Sequence, residues 1–159
     1  MTWQICMDGS ALGPLRRDNQ LLVKSPKVYV RDSGVAHALL GITTLEDLVG
    51  HPVAGLSWEG LIIEALIAAA PRGTVAHFYR TAAGAEIDLL LTLPGNRQWA
   101  IEIKRSLAPK VEKGFHLACA DIEPHRACVV YPGKERFPLT KEIQAMGLDE
   151  AISALKAKH

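Results

Sequence analysis

The sequence contains no pair of cysteines that reads as a covalent staple or a metal knuckle. Its three cysteines, Cys6, Cys119 and Cys128, are odd in number and far apart, with no Cys-x-x-Cys spacing. That pattern argues against a disulfide framework or a zinc ribbon and reads as buried thiols in a reducing compartment. Long apolar runs are missing too. None is long enough to span a bilayer, and the N-terminus has no charged-then-apolar leader pattern, so the expectation is a cytoplasmic protein without a membrane partner. Charge of one sign is also lacking, with 18 lysines and arginines against 17 acids and a formal net charge of +1. This balance does not advertise nucleic-acid binding and leaves room for a local basic groove. Finally, there is no Gly-x-x-x-x-Gly-Lys-Ser/Thr phosphate loop. Gly133-Lys134 lacks both the upstream glycine and the following hydroxyl, so no ATP is expected as a cofactor by that route.

What is present is ordinary in amount and specific in order. The chain has 159 residues, 48% of them hydrophobic, which is enough for one compact domain with a real core. Residues 1–50 read as an N-terminal attachment and 51–159 as the core. Met1 to Gln20 show no clear periodicity and read as a loose lead-in. Leu21 to Arg31 look extended, with Val28, Tyr29 and Val30 as strand formers. Asp32 or Ser33 can cap a short helix ended by Gly41, and Thr43 or Thr44 a further turn. A largely buried helix is predicted from about Ser57 to Ala70. In it Glu59 falls inside an apolar arc, whereas Glu64 lies on the wetter side.

The stretch from Phe78 to Ser106 alternates apolar residues with charges at period two and reads as consecutive strands. The alternation predicts Glu86, Asp88, Leu90 and Thr92 on one face, with Ile87, Leu89, Leu91 and Leu93 on the other. On the next strand Ala100, Glu102 and Lys104 share a face. Two acids and a lysine therefore converge on one side of a sheet, where lone charges are costly unless they are paired or bind a metal. A helix opened by Pro109, a strand from Arg126 to Tyr131 and an amphipathic helix from Leu148 to Lys156 complete an α/β (α+β) order. His37, His51, His77, His116 and His125 show no ligand spacing, and Trp3, Trp58 and Trp99 read as packing residues. Arg16, Arg17, Lys24, Lys27 and Arg31 read as a solvated edge that could touch phosphates.

A buried helix with Glu59, a strand with Asp88 and a following strand with Glu102-Ile103-Lys104 resemble the PD-(D/E)XK nuclease superfamily. Its restriction-endonuclease-like core runs helix, three-stranded meander, helix, strand. More narrowly, Ser25-Pro26-Lys27-Val28-Tyr29-Val30-Arg31-Asp32-Ser33-Gly34, Trp58-Glu59-Gly60, Tyr79-Arg80-Thr81, Gly84-Ala85-Glu86-Ile87-Asp88 and Glu102-Ile103-Lys104 resemble the domain of unknown function that closes many prokaryotic AAA-type ATPases. That resemblance covers about residues 21–131. It implies DNA phosphodiester hydrolysis with Mg²⁺ or Mn²⁺ held by Asp88, Glu102 and the carbonyl of Ile103, with Glu59 as a second-metal or water-mediated ligand. Lys104 would stabilise developing charge or help deprotonate water, and Glu86 and Arg80 would lie close by. It also implies an ATPase module and a winged-helix segment ahead of this domain. The chain starts at what looks like the final wing strand, so it reads as a free-standing derivative or a fragment. Two alternatives stand beside the nuclease. Asp88 and Lys104 could form a plain cross-strand ion pair, with Glu102 paired to Arg80 or Arg105. The fold could also serve as an inactive nucleic-acid- or protein-binding module, or as a homodimer or partner-bound scaffold through its N-terminal region.

Overall fold

The computed structural model describes residues 2–5 and 27–157, and side chains from Lys27 to Ala157. The side chain of Trp3, together with Cys6 and the basic residues Arg16, Arg17 and Lys24, lies outside what is described there. Strand β1 (Thr2–Ile5) pairs antiparallel with β2 (Lys27–Val30). The first of these falls in the stretch whose sequence carries no periodicity: four residues are too few to display one, and a partner strand supplies the order. Helices α1 (Ser33–Leu39) and α2 (Leu45–Gly50) follow, capped by Asp32 and Thr44 as the sequence predicts. Each cap side chain accepts from the backbone N–H three residues on.

Helix α3 (Ala54–Ala69) begins one turn earlier than expected. Ser57 does not cap it, because the hydroxyl of Ser57 is engaged with His37 Nε2 at 2.6 Å. Strands β3 (Val75–Arg80), β4 (Glu86–Leu93) and β5 (Arg97–Ile103) then form an antiparallel meander. The β3–β4 turn contains Gly84 at φ +86°, a backbone conformation that favours glycine. Helix α4 (Lys113–Ile122) carries the chain to β6 (Arg126–Tyr131), which lies parallel to β5. The helix starts at Lys113 rather than at Pro109, because Glu112 is extended (ψ 152°) and its N–H turns toward Glu102.

Two strands escape the sequence reading: β7 (Phe137–Pro138) and β8 (Ile143–Gly147). The latter, Ile-Gln-Ala-Met-Gly, holds one β-branched residue, yet it lies inside the sheet, parallel to β6 and flanked by β7. Tertiary pairing outweighs weak local preference there. Helix α5 (Leu148–Lys156) ends the described chain. The six-stranded mixed sheet runs β3-β4-β5-β6-β8-β7, and the fold is mixed α+β. Helices α3 and α5 cover one face, packing Ile62, Leu66 and Leu155 on Leu89, Leu91, Ile101 and Val130. Helix α4 covers the other, packing Phe115 and Ala118 on Ile87, Leu90, Ala100 and Val129. Among the described residues, no helix is long and apolar enough to cross a membrane.

Candidate functional site

The site is built on an irregularity in β4. His77 pairs with Leu90 and Tyr79 with Ile87, so Phe78 alone stands opposite both Asp88 and Leu89. This is a β-bulge, with one residue too many on β4. It corrects the strict alternation expected from the sequence: Ile87 packs on the α4 side of the sheet, whereas Leu89, Leu91 and Leu93 pack on the α3 side. On the β5 side, the last β4–β5 backbone pair is Leu89 with Ile101. Beyond it the carboxylate of Asp88 replaces the missing carbonyl, its Oδ2 accepting from the N–H of Ile103 at 3.0 Å.

Around Asp88 the acids gather. Lys27 on β2 places Nζ 3.2 Å from Asp88 Oδ1, 3.2 Å from Glu59 Oε1 and 3.0 Å from Glu86 Oε1. Glu59 also accepts a short hydrogen bond from the hydroxyl of Tyr29, which explains its place within an apolar arc. Glu86 in turn pairs with Arg80. Glu102, buried on β5, pairs with Lys104 at 3.0 Å and accepts from the N–H of Glu112 at 3.4 Å. Lys104 also meets the Glu112 carboxylate at 3.1 Å, and its backbone carbonyl accepts from Trp58 Nε1 at 3.2 Å. The cross-strand pair of Asp88 with Lys104 therefore does not form, and neither Arg80 nor Arg105 pairs with Glu102. Lys27 is no solvated edge: its side chain is 18% exposed and held by three carboxylates. The sequence signal was its place in Lys27-Val28-Tyr29, whose alternation turns Lys27 and Tyr29 to one side. Glu64, expected on the wetter side, lies at a part-exposed position and pairs with Arg31 at 2.7 Å.

A cleft of about 430 Å³ gathers Glu59, Glu86, Asp88, Glu102 and Glu112, with Lys104 as its one cationic wall and Ile103 alongside. Glu59 also lines two neighbouring depressions, one beside Lys27 and Tyr29 and one beside Trp58 and Arg105. All four predicted site side chains, together with Ile103, thus border one space. The electrostatics follow from this crowding. Burial, then the nearby Glu59, push Asp88 above the ordinary carboxylate range, although Lys27 and the Ile103 N–H oppose the shift. Burial also raises Glu102, against the pull of Lys104. For Lys104, burial favours losing the proton, but Glu102 and Glu112 outweigh it and hold the ammonium above its ordinary value. Lys27 is raised likewise: Asp88, Glu59 and Glu86 overcome its burial.

The donor set suits a hard divalent cation, which prefers carboxylate and carbonyl oxygens. Among the described residues, however, no three acidic, histidine or cysteine side chains are already gathered as a cage for a metal ion. The oxygens of Asp88 and Glu102 are instead occupied by Lys27, Lys104 and backbone N–H groups. Two other side chains singled out in the sequence, Trp99 and Cys128, serve packing: Arg126 stacks over Trp99 with its guanidinium carbon 4.7 Å from the ring centre, and Cys128 is fully enclosed.

Comparison with known proteins finds a family and two relatives. The profile of a family described as "Domain of unknown function (DUF4143)" matches residues 54–151. The chain is 38% identical over 130 residues to uncharacterized protein Mb2031c of Mycobacterium bovis, and equally to uncharacterized protein Rv2008c of Mycobacterium tuberculosis. The match covers 82% of this chain and 29% of each relative, so the chain spans under a third of the curated relatives it matches. No solved structure matches it.

Proposed function

The chain belongs to the DUF4143 family, and on that footing we propose that it is a divalent-metal-dependent, nuclease-like domain that hydrolyses DNA phosphodiesters. The observation that carries this reading is the charge of the cleft: five carboxylates line it, and they outnumber the three cations paired with them, Lys104, Lys27 and Arg80. A phosphodiester entering such a field is repelled unless a cation neutralises it. The order α3, β3–β4–β5, α4, β6, with β6 parallel to β5, supports a restriction-endonuclease-like core of the PD-(D/E)XK kind.

In this reading Asp88, Glu102 and the Ile103 carbonyl hold Mg²⁺ or Mn²⁺, with Glu59 as a second or water-mediated ligand. When bound, the ion supplies a polarised phosphoryl oxygen and a hydroxide at neutral pH. The chain's own groups have distinct tasks. Lys104, kept protonated by Glu102 and Glu112, is suited to stabilise charge on the phosphate rather than to abstract a proton. Trp58 holds the Lys104 carbonyl and thereby the end of β5.

A cytoplasmic location and DNA as partner belong to the same proposal. So does an AAA-type ATPase module in the longer relatives, whose remaining length leaves room for one. The second reading, a non-catalytic nucleic-acid- or protein-binding module, is favoured by one feature: Lys27 already neutralises part of the acid cluster. A protein or a second copy docking on the N-terminal region would find Leu39, Leu45 and Val49 exposed there.

Plasmid, linear and single-stranded DNA incubated with the chain over a Mg²⁺ and Mn²⁺ series test the choice. Cleavage is expected with metal, and Asp88→Ala, Glu102→Gln and Lys104→Met are each expected to slow it by at least about 100-fold. No metal-dependent cleavage of any of the three substrates would leave the binding module as the reading.

A further inference from the structure

We propose that the Lys27 ammonium is a built-in stand-in for the divalent cation, and that metal enters the acid cleft by expelling it. This rests on the metal-dependent reading above and adds to it a gate.

Lys27 comes from β2, outside the meander, and reaches carboxylates on two other elements, Glu59 on α3 and Glu86 and Asp88 on β4. Its three contacts of 3.0–3.2 Å place one positive charge at the point where these acids meet. A metal ion drawing on Asp88 and Glu59 would stand within a few ångströms of that charge, and two cations so close repel strongly in a half-buried site. The two occupants therefore exclude each other.

Several features make lysine the one to yield. It brings a single charge on a flexible four-carbon stem, whereas the ion brings two. Its neighbour Val28 is exposed, so the strand borders open space. Tyr29, next but one along β2, is buried in the core and bonded to Glu59, so β2 stays anchored when the ammonium swings out. Lys104, by contrast, is held on the far side of the cleft by Glu102 and Glu112 and is no competitor for the Asp88 and Glu59 oxygens. Being tethered, the Lys27 ammonium is always present at high effective concentration. It sets a threshold that free metal must exceed, and it neutralises the acids while metal is scarce.

Mn²⁺ binding to the full chain, read by calorimetry or by loss of the free-ion electron paramagnetic resonance signal, tests the exchange without any activity assay. Lys27→Gln is expected to bind Mn²⁺ at least about tenfold more tightly than the wild type, and adding Asp88→Asn is expected to abolish that gain. A second measurement needs no variant. Amine acylation of the wild type, read by mass spectrometry, should show Lys27 becoming more reactive as Mn²⁺ saturates, while exposed Lys110 stays unchanged. Equal Mn²⁺ affinity in wild type and a folded Lys27→Gln, or constant Lys27 reactivity at saturation, overturns the exchange and leaves the metal reading standing. Absence of Mn²⁺ binding in both wild type and folded Lys27→Gln overturns both.

Discussion

Glu86 and Asp88 lie two residues apart on β4 and share the ammonium of Lys27, yet their protons respond in opposite directions. Asp88 is raised above its ordinary value of 3.8, by burial first and then by Glu59. Its contribution to stability is therefore present below that value and is lost as pH rises through its folded pKa. Glu86 also meets a burial penalty, but Arg80 and Lys27 outweigh it and lower its pKa below the ordinary 4.5. Its contribution is present above that value and is lost as pH falls through its folded pKa. With a chelator present, Asp88→Asn is thus expected to melt at or above the wild type at pH 7, the gain shrinking as pH falls toward 3.8. Glu86→Gln is expected to melt below it at pH 7, the loss fading below 4.5. Thermal denaturation across a pH series reads both. At this scale the four side chains that the sequence singled out, Glu59, Asp88, Glu102 and Lys104, all line one cleft. The sequence reading missed Lys27 as their partner: the alternation puts Lys27 on the side of Tyr29, but it does not say that three carboxylates rather than water wait there.

At the scale of the element, α4 and the β3–β4 turn fit together through Gly114. A Cβ at that position would come within 2.6 Å of the Gly84 carbonyl oxygen and 3.6 Å of the Glu86 nitrogen. Glycine is unfavourable in a helix, so the sequence weakens its own helix signal there. The structure supplies the reason: the first turn of α4 presses onto the backbone that leads into Glu86. Gly114→Ala is therefore expected to destabilise the protein by about 1–3 kcal/mol, as overpacking against backbone does, despite the better helix propensity of alanine. Urea denaturation measures it. The start of α4 shows the limit of pattern reading from the other side. Pro109 is a fair sign of a helix start, but the backbone of Glu112 is spent on Glu102, and such a non-local demand has no local signature.

For the whole molecule, the order of major elements after residue 50 was readable because helix and strand periods are distinct and turn residues separate them. The pairing of β6 with β8 and the two-residue β7 were not, since Ala145, Met146 and Gly147 acquire their strand character only from neighbours on either side. One sheet sits between two apolar layers, and each layer can be challenged on its own. Ile62→Ala on the α3 side should lower stability by about 2–5 kcal/mol, and Phe115→Ala on the α4 side by about 3–5 kcal/mol. Each should leave a single cooperative transition by circular dichroism if the layers unfold together. The bulge in β4 bears on inheritance as well as on chemistry. Pairing is in step on either side of it, and Asp88 and Leu89 together take the place of one residue opposite Phe78. An in-frame loss of codon 88 would therefore bring the two stretches into a regular ladder while deleting the central carboxylate. Descendants of this domain that abandon the cleft have a one-codon route that keeps the sheet.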